Sequence, residues 1–282
     1  VTTATAQGPL VATATILVPW TPVIDNNGSL SAGYTSTDRQ YVIDPYTENQ
    51  TGVAAVTFSD ASIYDQGGAL REVKVTLTNP LDGAANEHLT FVTSANGNPV
   101  NNNVLAYLWN SGVQISGNGS GSVAVTSGGN TLYTASGLTN ATVLTFTART
   151  AAGADADVFE AGIRGVGYIN TDEAMAVQTR VITISAIDVD GNIGLPANTY
   201  IHMQGVNDAP NGVDSSVGTA TAYVEDDNYT FAVTDFGFND NTDVDGGNNL
   251  SGNSLMAVTI TTLPATGTLE RDGVAVTAGQ SI

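Results

Sequence analysis

Apolar and polar side chains alternate along much of this chain. Residues 71–78 show it most clearly: Val73, Val75 and Leu77 face one way, Glu72, Lys74 and Thr76 the other. That period of two is the mark of a half-buried strand. Residues 177–187 alternate as strongly, and 199–206 repeat the pattern. Shorter strands are expected at 11–18, 53–58, 88–92, 104–108, 122–126, 131–134, 142–148 and 166–169. Asn-Gly and Gly-Gly pairs between them suit tight hairpins. Only 155–163 reads as a helix, with Val158, Phe159, Gly162 and Ile163 on one face. About ten strands and no β-α-β period predict an all-β fold of tandem antiparallel Greek-key β-sandwich modules.

The join Val206-Asn207-Asp208-Ala209-Pro210 divides the pattern. Residues 1–19 read as the terminal strand of a preceding module, or an N-terminal extension. Residues 20–206 form a long module, and 207–282 a second one, incomplete at its C-terminus. In the second module, strands are expected at 221–224, 229–233 and 255–262, with a hairpin joining 268–269 to 274–276. Phe236 and Phe238 are expected to plug its core.

Composition narrows the function. The chain has 282 residues, 41% of them apolar and only 12% charged. Thr, Ser, Asn and Gly therefore supply most of the polar surface, as in secreted β proteins. Acidic residues outnumber basic ones 27 to 7, giving a net charge of -20. That field repels nucleic acid and anionic membrane and attracts cations. There is no cysteine, which excludes disulfides and thiolate chemistry. No apolar run is long enough to span a membrane as a helix.

Three acidic constellations are candidates for calcium, a hard cation that takes oxygen ligands. In the first, Asp188, Asp190 and Asn192 offer oxygens at i, i+2 and i+4 where strand 177–187 ends. In the second, Asp243 and Asp245, preceded by Asp240, share the same spacing among glycines. The third is assembled from distant residues. Glu48, Asp60 and Asp65 lie at strand ends of the first module, Asn207 and Asp208 in the join, and Glu225 and Asp226 at the opening of the second module. Carboxylates clustered without Lys or Arg are costly unless a cation neutralises them. Ordinary solvated acidic turns remain the alternative for each.

Catalysis finds little support. His88 and His202 are the only histidines, each in a strand beside apolar residues, and neither a zinc spacing nor a nucleophile elbow occurs. The chain reads as a non-enzyme. Trp20 and Trp109 are either sugar platforms or packing residues. Lys74, the one lysine, alternates outward beside Glu72, which argues against a buried isopeptide staple.

Residues 205–210 (Gly-Val-Asn-Asp-Ala-Pro) are similar to the joint of tandem cadherin-like repeats in very large bacterial surface and secreted adhesins. Tyr229-Thr230-Phe231, residues 235–240 and 255–260, Thr262-Leu263-Pro264, Gly267-Thr268-Leu269 and residues 273–276 follow in the order such a repeat shows. The first module resembles a longer repeat of these proteins through residues 76–84, 168–171 and 180–184. The Gly/Asn-rich region 94–140 departs from that pattern and is a candidate binding or polymerisation insert. The resemblance implies cadherin-like or Ig-like sandwiches, calcium at the joints, type I secretion, and an extracellular place at the bacterial surface or biofilm matrix. It implies Asp188, Asp190, Asn207, Asp208 and Glu225 as joint ligands.

The leading expectation is a calcium-stiffened structural or adhesive segment whose partners are neighbouring modules of the same or an identical chain. A filament or surface-layer subunit polymerising by strand complementation, and a carbohydrate-binding module with a cell-surface glycan or protein as partner, are the alternatives. Nucleic acid and direct membrane insertion are not expected.

Overall fold

The computed structural model describes residues 21–27, 40–50, 52–66, 68–91, 102–207, 209–215, 228–239 and 253–282. The expected strands at 11–18 and 221–224 lie outside them. The chain opens with β1 (Val23–Asp25), β2 (Tyr41–Thr47), β3 (Ala54–Ala55), β4 (Ser62–Tyr64), β5 (Ala69–Leu77) and β6 (Glu87–Phe91). Next come α1 (Asn102–Asn110), β7 (Val113–Gly117), β8 (Ser120–Ser127), β9 (Asn130–Thr139) and β10 (Val143–Ala148). Then follow β11 (Ala154–Asp155), α2 (Ala156–Ile163), β12 (Val166–Asn170), β13 (Arg180–Asp188) and β14 (Ala197–Gln204). Among the described residues beyond the join are β15 (Asn211–Gly212), a 3-10 turn (Val233–Phe236), β16 (Phe238–Asn239), β17 (Glu270–Arg271) and β18 (Val274–Ala275).

The main sheet runs β2-β14-β13-β5-β10-β7, with β11 also paired to β5. A second sheet, β3-β12-β6, faces it. Their inward rings meet: Tyr46 of β2 packs edge-on against Tyr168 of β12 at 5.1 Å, and Phe91 of β6 meets Phe146 of β10 at 6.1 Å. Helix α2 closes the side between them. A Cβ on Gly162 would come within 2.7 Å of the Phe146 ring, and one on Gly165 within 2.6 Å of Phe91. Glycine there is what lets the helical turn lie on the aromatic rings. The buried face of α2 is Val158, Phe159, Gly162 and Ile163, as its periodicity predicts.

Apart from the expected strand 255–262, where only the isolated bridge Thr259–Ser281 forms, three features differ from the pattern reading. First, the main sheet is mixed, because β2 runs parallel to β14. Hydrophobic alternation places a strand's faces but carries no information about the direction of its neighbour. Second, 104–108 is helix, not strand. Leu105 and Leu108 are fully buried while Tyr107 is 47% exposed, a spacing of three that a strand would split between opposite faces. Third, 229–233 is not a strand. The Asp235 carboxylate accepts from the Tyr229 hydroxyl (2.7 Å) and the Ala232 amide (2.8 Å), which folds the segment into a turn. Those two bonds hold the Asp235 carboxyl below the usual carboxylate range. Phe231 stacks on Phe236 at 5.7 Å. The aromatics of this stretch therefore pack on one another, with Phe231 still 44% exposed.

The C-terminal residues make short ladders. Val258 and Ile282 exchange two 2.8 Å backbone bonds, and β17 pairs with β18 as the expected hairpin. Met256 is 98% exposed and Val274 70%. Among the described residues the extended core belongs to the part of the chain before the join.

Candidate functional site

The join is built by topology. Because β2 is parallel to β14, the C-terminal ends of both strands lie together. Glu48, just past β2, is thereby carried to the start of the join. Its amide donates to the Gln204 carbonyl (2.8 Å), and its buried carboxylate accepts from the Val206 amide (2.8 Å). An antiparallel β2 would have put Glu48 at the opposite end of the sheet. On the far side of the join, the Asn207 side-chain oxygen accepts from Asn253 at 3.3 Å. So the structure brings Glu48 to Val206, next to Asn207. Asp65 is buried beside β4 and Asp60 is exposed. Asp208, Glu225, Asp226, Asp240, Asp243 and Asp245 lie outside the described residues. Among the described residues, no three His, Cys, Asp or Glu side chains converge where one metal ion would sit.

The turn at 188–192 has a different chemistry from the expected trio of oxygens. Asp188 is 2% exposed. It sits on the inward face by the same parity as Ile182, Ile184 and Ala186, and pairs with Leu70 where the register shifts at Ile187/Asp188. Its two carboxylate oxygens accept from the Asn192 amide and the Asn192 side-chain nitrogen, each at 2.7 Å. Asn192 thus offers donors to Asp188 rather than a third oxygen, and Asp190 points to solvent. As arranged, Asp188 and Asn192 close an Asx-type turn on each other. Asp188→Ala is expected to cost about 1–2 kcal/mol, the loss of charge-assisted bonds to a half-buried partner. Urea titrations with calcium and with chelator check this. A cost that appears only with calcium would instead make Asp188 a ligand.

Sequence reasoning missed the densest polar cluster. Arg180, fully buried, donates through Nε to Glu87 at 2.5 Å, through Nη2 to Asp82 at 2.7 Å, and through Nη1 to the Gln178 carbonyl. Glu87 also accepts from the Tyr168 hydroxyl (2.9 Å) and the amides of Leu81 (2.7 Å) and Asp82 (2.9 Å). Asp82 also accepts from Asn170 (2.7 Å) and the Ala176 amide (3.1 Å). Burial, then the adjoining Glu87 carboxylate, push the Tyr168 phenol far upward, so it remains a donor. The stretches 76–84, 168–171 and 180–184 meet in this cluster. The signal was present in the alternation: Arg180 shares its parity with Ile182 and Ile184 and so had to point inward.

The departing region 94–140 holds the remaining candidate. Helix α1 and the β8–β9 hairpin fold together against β7, the edge strand of the main sheet. Val125 and Ala135 of the hairpin are buried, while Ser122, Thr131, Thr134 and Ser136 are exposed. At the end of α1, Trp109 is sandwiched. The Tyr133 ring stacks on it at 4.2 Å and 12°, and the Arg149 guanidinium lies 3.4 Å from its centroid. Arg149 Nη1 donates to the Trp109 carbonyl (3.0 Å), and its amide donates to the Gly112 carbonyl (2.7 Å). Trp109 is therefore a packing residue whose two faces are occupied, and the group presented outward is Arg149. Trp20 lies outside the described residues.

The histidines hold no catalytic arrangement. His88 is half-buried, and burial pulls its imidazole below the ordinary value while a bond to the Ala84 carbonyl opposes this. It borders a hollow of about 160 Å³ floored by Phe91, Val123, Leu138 and Leu144. His202 is exposed, 3.3 Å from Asp44. Lys74 faces outward, 3.4 Å from Glu72, as its parity predicts.

No family model matches this chain, and no curated protein matches it. Among solved structures, it is similar to the sialic acid binding region of the Streptococcus sanguinis SK1 adhesin bound to 3'sLn. The identity is 14% and the TM-score 0.21, over 68% of this chain and 31% of that chain. This chain thus spans about a third of that region, and at this score the likeness carries no argument about function.

Proposed function

We propose that this chain is a non-enzymatic adhesive domain of a bacterial surface or matrix protein, and that it binds carbohydrate through the insert between β6 and β10. One observation carries this: the exposed guanidinium of Arg149, held flat on Trp109 with Tyr133 behind it. A side chain fixed by stacking and by its Nη1 bond, on a backbone held by its own amide bond, loses little freedom when it binds, which favours recognition. The hydroxyls of Ser122, Thr131, Thr134 and Ser136 on the outer face of the hairpin provide further donors and acceptors for sugar hydroxyls. The test is binding of the full chain to a panel of immobilised neutral and acidic glycans. Saturable binding to at least one class is expected, and binding to none overturns the proposal.

A calcium-stiffened join between cadherin-like modules is a second function, favoured by the position of Glu48 and Asn207 on one boundary. Calcium would draw on these oxygens and on the acidic residues 208, 225 and 226. If it binds only the folded chain, then calcium at about 100 times its dissociation constant adds about 2.7 kcal/mol of stability. That corresponds to a rise in melting temperature of about 5–10 °C. Melting in calcium and in chelator measures it, and coincident curves would sink this second function.

A further inference from the structure

We infer that Arg149 binds a carboxylate, and that the glycan recognised at this site carries a single acidic sugar at its end. This rests on the carbohydrate-binding function proposed above. The chain has seven basic residues against 27 acidic ones, so a cation without an acidic neighbour is unexpected here. Arg164 pairs with Glu160, Arg180 with Asp82 and Glu87, Lys74 with Glu72, and Arg271 with Asp272. Arg71 and Arg149 make no ion pair among the described residues, and of the two Arg149 is the one held on an aromatic ring. Among the described residues only Nη1 of its five N–H donors is engaged, on the Trp109 carbonyl. The open edge of a planar guanidinium matches a carboxylate through two parallel bonds. Stacking on Trp109 fixes the plane of that fork, so the direction of approach is set before the ligand arrives. The charge of the whole chain limits the ligand further. At a net -20, a polymer with many carboxylates is repelled along its length. One carboxylate meeting one cation at short range is not.

The experiment uses the full chain and two matched pairs of sugars. One is a disaccharide ending in glucuronic acid against the same disaccharide ending in glucose, which differ only by carboxylate against hydroxymethyl. The other is sialyllactose against lactose. Calorimetry or ligand-observed NMR gives the affinities. In at least one pair the acidic member is expected to bind about tenfold tighter or more, the range of a charge-assisted bond. That gap should collapse in Arg149→Gln and shrink in Arg149→Lys, which keeps the charge but not the fork. The pair that shows the gap tells a uronic acid from a sialic acid. Far-UV circular dichroism and melting confirm that the variants are folded. Equal binding of acidic and neutral members, or a gap that persists in folded Arg149→Gln, overturns the carboxylate inference and leaves carbohydrate binding standing. Absence of binding to any glycan overturns both.

Discussion

Arg180→Met should lower stability by about 3–5 kcal/mol, the cost of leaving buried charges without their partner. For a chain of this size that is a fall in melting temperature of about 10 °C or more. The side chains of Arg180 and Glu87 are fully buried and that of Asp82 nearly so. Methionine fills much of the volume, so the loss would come from the stranded carboxylates and not from a cavity. A combined variant makes the distinction. Adding Glu87→Gln and Asp82→Asn to Arg180→Met removes the unpaired charges and should recover part of the loss. The amide oxygens can still accept from Tyr168, Asn170 and the backbone of residues 81–82. Chemical denaturation of the three proteins measures this. A loss under about 1 kcal/mol for Arg180→Met, or no recovery in the combined variant, would show that the cluster does not hold this end of the two sheets together. No catalytic role is needed to account for it: it clamps the loop 80–87 to β12 and β13.

The second large effect is expected at Gly137→Val. A Cβ at this position would lie 2.0 Å from the Gly117 carbonyl oxygen, and the residue has a φ of +70°. Backbone that cannot retreat and a left-handed conformation act together, for about 2–4 kcal/mol of local strain. The contact fastens β9 to β7, where the Gly119 amide also donates to the Gly137 carbonyl at 2.9 Å. Forcing it apart lifts the hairpin, and Tyr133 leaves the face of Trp109. The expected readouts are altered tryptophan emission, faster proteolysis within 120–139, and loss of the proposed glycan binding, with the rest of the two sheets still folded. Gly128→Ala is the control. Gly128 also has positive φ (+56°), but nothing lies within 4 Å of its added Cβ. It should cost about 1 kcal/mol and leave the stack intact. If both variants behave alike, the β7–β9 contact is not what seats the hairpin.

Much of the scaffold was legible in the chain because burial in a half-exposed strand repeats every two residues. Residues 71–78 and 177–187 announced β5 and β13, and 155–163 announced α2 with its buried face. The same parity, read one residue further, places Arg180 inward. It was hard to credit because a guanidinium on an apolar face is improbable until its partners are known. Those partners come from 93 and 98 positions away in sequence. The helix at 102–110 was hidden for another reason. A short apolar run such as Val104 to Leu108 fits either period, and packing against β8 and α2 decided it.

By itself, the sequence determined that this is a mainly β protein with an acidic surface, no thiol chemistry and an outward Lys74. Each of these depends on residue type or on local periodicity. Tertiary structure alone decided the parallel pairing of β2 with β14, and through it the arrival of Glu48 at the join. It also turned Asp188 and Asn192 toward each other, and set Arg149 on a tryptophan 40 residues earlier. Those outcomes depend on which segments become neighbours. That choice is made by the shared core, where no local pattern records it.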